Sequence, residues 1–90
     1  MFNFSMDAFE SSIGLIDFAF DVEYDIVSDE TGTEYDWYAD GPVSVTLWGD
    51  DGEIEAEMEY DPNDPVAQEI FKHFNRYLVD RCYDDYSSNW

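Results

Sequence analysis

Basic residues are scarce in this 90-residue chain, which has three Lys and Arg residues against 23 Asp and Glu residues. None of the three precedes Lys72, and the formal net charge is −20 at pH 7. Proteins that bind nucleic acid need basic side chains to neutralise phosphates, and anionic membranes attract proteins through the same groups. The composition therefore argues against direct binding to nucleic acid or to a membrane, and it predicts a cationic partner.

Cysteine is limited to Cys82, so no disulfide can form within the chain and a reducing compartment is the simpler interpretation. The first residues lack the basic region of a secretory signal, and no apolar run approaches the roughly 20 residues of a membrane span. We therefore expect a cytoplasmic protein.

Motifs that carry catalytic chemistry are missing: there is no Gly-rich phosphate loop, no Cys/His metal cluster and no nucleophile elbow. The one histidine, His73, has Glu69 and Tyr77 at helical spacing and is expected to face solvent. Cys82 belongs to an apolar helical stripe and is expected in the core. The sequence thus predicts no enzyme activity, no cofactor and no metal site.

Apolar residues make up 44% of the chain and aromatic residues 19%, which separates it from disordered acidic segments. Its length predicts a single domain over residues 1–90. The stretch "IDFAFDVEYDIV" alternates strictly and predicts a long half-buried strand with Ile16 and the following even-numbered residues on one face. "EYDWYAD", "VSVTLW" and "GEIEAEMEY" alternate in the same way, and short turns join them. The simplest assembly is a four-stranded antiparallel meander.

The end of the chain predicts one long helix. Asp64 is the expected N-cap and Pro65 the first helical residue. The apolar stripe that would cover the inner face of the sheet consists of Ala67, Ile70, Phe71, Phe74, Leu78 and Cys82. "SMDAFESSI", residues 5–13, predicts a short N-terminal helix capped by Ser5. The expected fold class is α+β.

The face of the sheet away from the helix is predicted to be an acidic surface. Its expected members are Asp17, Asp21, Glu23, Asp25, Glu34, Asp36, Glu53, Glu55, Glu57 and Glu59. Glu is a poor strand former, and no Lys occurs in any predicted strand to pair with these acids. We therefore interpret the face as a partner-binding surface, the alternative being an ordinary solvated face.

Aromatic residues also belong to this surface by alternation, namely Tyr38 and Trp48. Tyr and Trp are frequent anchors of protein interfaces, although Trp48 could equally shield the core at the end of its strand. Whether Trp37 and Trp90 lie in the core or at an interface is left open by the pattern.

In size, net charge and acidic faces the chain resembles the DNA-mimic inhibitors of phages and mobile elements, chiefly anti-CRISPR and anti-restriction proteins. The resemblance covers composition and pattern, with no shared motif. It implies an inhibitor that acts in the host cell cytoplasm. The sequence leaves open whether the chain is a monomer or a homodimer. Its partner would be a basic nucleic-acid-binding protein: a nuclease, or a CRISPR or restriction effector whose DNA-binding groove it occupies. The alternative is an immunity protein that neutralises a nuclease toxin, since such proteins are similarly small and acidic.

Overall fold

The computed structural model describes residues 1–87, which form an antiparallel sheet of five strands and one helix that follows it in the chain. The α+β class is confirmed. The elements are β1 (Phe2–Ser11), β2 (Gly14–Asp29), β3 (Gly32–Ala39), β4 (Val43–Trp48), β5 (Ile54–Tyr60) and α1 (Pro65–Ser87).

Strand β2 is the centre of the sheet. It pairs with β1 along one edge, and along the other edge it pairs with β4 and then β3. Val22 pairs with Phe2 on one side and with Ala39 on the other, which places β3 and β4 on the same side of β2. The outermost strand on that side is β5, which pairs with β4.

The predicted four-stranded meander is wrong because β4 does not fold back on β3. The two strands follow one another along β2, and residues 40–42 form an irregular segment between them. Asp40 N–H still donates a hydrogen bond to the Asp21 carbonyl at 2.9 Å, so the chain keeps its direction across the break. Gly41, with φ of 96°, provides a backbone conformation that permits this break without a reversal.

The predicted N-terminal helix over residues 5–13 is also wrong, because that segment belongs to β1 and its turn into β2. Its register against β2 shifts between Met6 and Phe9, where Ala8 has φ of 57°. Phe4 is buried and Phe9 half-buried against the same core. Residues on one face of a regular strand are separated by an even number of positions, whereas Phe4 and Phe9 are five apart. The extra residue at the bulge causes this difference and hides the strand alternation in the sequence.

The helix confirms its predicted start and apolar stripe. Asp64 caps it by accepting a hydrogen bond from Val66 N–H at 2.9 Å. Phe74 contacts three strand residues, with ring centroids 5.6 Å from Phe4, 5.3 Å from Phe9 and 5.5 Å from Phe18. The buried residues of the helix are Ala67, Ile70, Phe71, Leu78 and Cys82. Within residues 1–87, no helix is both long enough and apolar enough to cross a membrane.

Polar contacts hold both ends of α1 to the sheet. Near its start, the Glu69 carboxylate accepts hydrogen bonds from the backbone N–H and the hydroxyl of Ser12, at 2.8 and 2.6 Å. Near its end, Tyr24 O–H donates to the Asp85 carboxylate at 2.8 Å. Because Ser12 precedes β2 and Tyr24 lies within it, α1 runs in the same direction as β2 and leaves the other face of the sheet open.

The bulge in β1 yields a stability prediction. An L-residue in the left-handed region costs about 1–2 kcal/mol, whereas Gly adopts it freely. We expect Ala8→Gly to leave the free energy of unfolding unchanged or to raise it by up to about 1 kcal/mol. Ala19→Gly, in the regular part of β2, should lower it by about 0.5–1 kcal/mol. Urea unfolding of both variants measures the difference, and an equal loss in both would contradict the assigned backbone conformation.

Tyr24 yields a prediction about alkaline pH. Partial burial and the hydrogen bond to Asp85 raise the pKa of its phenol to about 12, against about 10 in an unfolded chain. A raised folded pKa gives stability that is complete below pH 10 and is lost as pH rises towards about 12. We expect Tyr24→Phe to flatten this loss in unfolding curves measured between pH 9 and 12. Tyr38→Phe, at an exposed phenol on the other face, is the control and should retain the wild-type loss.

Candidate partner-binding face

The face of the sheet opposite α1, the outer face, carries the acidic residues. In β2 the even-numbered residues from Ile16 to Tyr24 contact the core, so the odd-numbered acids point away from it. Cross-strand pairing extends this division to the neighbouring strands. The acids on the outer face are Asp17, Asp21, Glu23 and Asp25 of β2, Glu34 and Asp36 of β3, and Glu55, Glu57 and Glu59 of β5. Glu53 lies in the turn before β5.

These acids form two groups with a neutral strand between them. Thr46 of β4 pairs with Asp17 on one side and with Glu57 on the other. Two inter-strand spacings, about 10 Å, therefore separate Asp17 from Glu57. Glu57 lies at the level of Asp17 of β2, and Glu34 pairs with Val27 of the same strand. Between these two levels the acids extend over ten residues of β2. At about 3.4 Å per residue the acidic array is roughly 34 Å long.

Two of the predicted acids also accept hydrogen bonds from β1. The Asp17 carboxylate accepts the Ala8 N–H at 2.9 Å, which satisfies the backbone of the bulge. The Asp21 carboxylate accepts from the side-chain amide of Asn3 at 3.2 Å. Sequence reasoning missed both contacts because it assigned their partners to a helix or left them unassigned. Asp17 and Asp21 are thus held by the fold as well as presented on the face.

Asp25 and Asp36 are like charges in directly opposite positions. They form a Cα pair between β2 and β3, and both side chains are exposed. At about 5 Å two unit charges in water repel by roughly 0.8 kcal/mol before salt screening. The arrangement lowers stability at this point of the outer face.

The aromatic residues differ in position. Tyr38 lies on the outer face opposite Glu23, and 52% of its surface is exposed. Trp48 is half-buried at the end of β4, where the pairing with β5 shifts register. Trp37 faces the helix instead, and its indole N–H donates to the Asn75 side-chain oxygen at 2.9 Å. Trp90 lies outside the described residues.

All three basic side chains belong to α1, on the opposite side of the sheet from the outer face. The Arg81 guanidinium lies 5.2 Å from the centre of the Phe2 ring. Within residues 1–87, neither Lys72, Arg76 nor Arg81 comes within 4 Å of a carboxylate oxygen. The acids of the outer face therefore have no cationic side chain of their own chain as a partner in the described part of the structure.

Within residues 1–87, no three His, Cys, Asp or Glu side chains are grouped as metal ligands would be. Comparison with known proteins finds no matching family, no matching characterised protein and no matching solved structure. A function for this chain is therefore inferred from its own geometry and charge.

The Asp25–Asp36 pair yields a test of charge crowding. We expect Asp36→Asn to raise the free energy of unfolding by about 0.2–1 kcal/mol at low salt, since a cross-strand repulsion is removed. The gain should shrink at high salt, because screening weakens the repulsion in the wild type. Glu34→Gln is the matched control, since Glu34 faces Val27. Equal effects of the two variants would contradict a local repulsion.

Proposed function

We propose that this chain is an inhibitor that occupies the cationic nucleic-acid-binding groove of a nuclease, or of a CRISPR or restriction effector, through its outer face. The observation that supports the proposal best is the acidic array on a rigid sheet, roughly 34 Å long, with the basic residues of the chain all on the opposite side. At 3.4 Å per base pair, that length is about ten base pairs of duplex DNA.

The overall charge density also approaches that of DNA. The molecule measures 52 × 24 × 19 Å. The net charge of −20 spread over the 52 Å length gives about one negative charge per 2.6 Å. Duplex DNA carries one per about 1.7 Å. The whole-molecule charge density that attracts a groove built for a phosphate backbone is therefore within about twofold of that of DNA.

Fixed carboxylates offer an advantage over a flexible acidic tail. Strand pairing holds the backbone of each acid, so less conformational freedom is lost on binding than with a disordered segment. The array also avoids the cost of ordering a loop. Long-range attraction to a basic groove would speed association, and this attraction weakens as salt rises.

Competition with DNA is the direct test. We would assay DNA cleavage by purified guide-loaded Cas9, by type I and type II restriction endonucleases and by a nuclease toxin, with increasing amounts of the protein. We expect inhibition of at least one enzyme, relieved by added uncleavable duplex and by higher salt. An inhibited enzyme that still binds duplex DNA with unchanged affinity would contradict the proposal and favour the immunity-protein alternative.

Charge reversal locates the inhibitory surface. We expect the double variant Glu57→Lys and Glu59→Lys to weaken inhibition by about tenfold or more, roughly 1.4 kcal/mol. Both side chains are exposed and face Thr46 and Ser44, so the fold should tolerate the change. The matched control is Asp80→Lys with Asp84→Lys, which changes net charge equally at exposed positions of α1. Equal losses from the two double variants would show that net charge, and not the outer face, causes inhibition.

A further inference from the structure

A groove of about 570 Å³ runs between β3 and α1. Five consecutive strand residues, 35–39, line one wall, and Gln68, Phe71, Asn75 and Val79 of the helix line the other. Pro62 and Asn63 border the same groove. Because consecutive strand residues point to opposite faces, a wall made of all five consists of the edge of the strand itself.

The backbone of β3 at this edge has free hydrogen-bonding groups. Asp40 N–H donates to the Asp21 carbonyl, which makes these two residues a hydrogen-bonded pair. Hydrogen-bonded and non-hydrogen-bonded pairs alternate along an antiparallel ladder. The N–H and C=O groups of Tyr35, Trp37 and Ala39 therefore point away from β2. Within residues 1–87 these groups have no hydrogen-bond partner. Their side chains are half-buried against the core, which holds the strand edge in place beside the groove. A strand edge with free backbone groups is a template for pairing with another segment.

Other strand edges are less suited to accept a segment. The free edge of β1 is interrupted by the bulge after Met6, and the edge that β2 leaves free beyond Val22 among the described residues is bordered by the start of β1. The helix packs more closely against β3 and β1 than against β5. Strand β5 lies at the outer edge of the sheet, beyond β4, so its free edge lacks a helix packed as closely beside it. Among the described strands, β3 therefore offers a regular free edge with an apolar helix wall next to it, including Phe71 and Val79.

We propose that this groove binds an extended basic segment of a partner protein, which adds to the sheet as a strand alongside β3. Side chains on one face of the added strand would lie over Phe71 and Val79 and should be apolar. Those on the other face would lie beside Glu34 and Asp36 on the outer face and should be Lys or Arg, because opposite charges across strands stabilise. The occupant is therefore a segment in which basic and apolar residues alternate.

Charge argues against a second copy of this chain as the occupant. Two β3 edges placed together would bring the outer-face acids of one copy next to those of the other, and like charges across strands destabilise. The proposal requires only a cationic partner, and it does not depend on the outer face replacing DNA.

The probe is a capped eight-residue peptide of alternating Lys and Val, added to the full isotopically labelled chain. We expect hydrogen exchange at the amides of Tyr35, Trp37 and Ala39 to slow by about tenfold or more, because hydrogen-bonded amides exchange only on opening. A peptide of the same composition with four Lys followed by four Val should give little protection. Unchanged exchange at saturation, equal protection by both peptides, or protection at β1 or β5 instead would overturn the proposal.

Matched charge variants separate groove binding from general attraction. Glu34→Gln with Asp36→Asn should weaken binding of the alternating peptide by about fivefold, since two cross-strand pairs are lost. Glu57→Gln with Glu59→Gln removes the same charge from β5 and should change the affinity less than twofold. Equal weakening by both pairs would show attraction by net charge alone and overturn the proposal. Neither failure would bear on the competition with DNA, which is measured without the peptide.

Discussion

Strand β2 is paired with β1 over residues 14–22 on one edge, and with β4 and then β3 on the other. Its side chains alternate between core residues such as Phe18 and acids such as Asp17. A shift of one residue in register would bury the acids and expose the phenylalanines, which makes the pairing strongly specified. Strands β1, β3 and β4 pair with β2 directly, and β5 pairs with β4. Cross-strand pairing therefore gives these strands the same core-facing and outward-facing sides as β2. The charge pattern of the outer face therefore follows from the register of one strand.

Burial of aromatic rings allows the sheet to carry this charge. Phe4, Phe18 and Phe20 are buried, and their ring centroids lie 5.7–6.1 Å apart in stacked or tilted arrangements. A fully buried Phe contributes about 2–3 kcal/mol, and an exposed pair of like charges at about 5 Å costs roughly 0.8 kcal/mol before screening. The neutral strand β4 further separates the acids of β2 from those of β5, so few acids are directly opposed as Asp25 and Asp36 are. Local repulsion is thus smaller than a count of acids suggests.

The patterns that could be predicted from the sequence are those with an unbroken period. The structure contains the alternating strand that begins near Ile16. It also contains the helix capped by Asp64, with its apolar stripe. The bulge at Ala8 is invisible to such a pattern, because one extra residue reverses the phase and leaves short segments that resemble a helix. The position of β4 could not be predicted either. Alternation shows which face a residue occupies, but not which strand lies beside it, and a break at residues 40–42 is compatible with a reversal or with continuation.

The same limit applies to the edge of β3. Alternation shows that Tyr35 and Trp37 share one face of β3, but their free backbone groups depend on β4 pairing with β2 and leaving no strand beside β3. Backbone groups carry no sequence signal of their own, so a strand edge becomes visible only once all the pairings are known.

Separation of charge between the two sides of the sheet affects how the molecule approaches a partner. The outer face holds the acidic array, and Lys72, Arg76 and Arg81 all lie on the helix behind it. Four acids on α1, Glu69, Asp80, Asp84 and Asp85, nearly balance these three bases, so the helix is close to neutral while the outer face is strongly negative. In the field of a basic groove, the partner we propose, the outer face would turn forward. Uniformly scattered acids would supply the attraction without the orientation. With the proposed cationic partner, the placement of the basic residues on α1 would therefore orient the encounter that the acids drive.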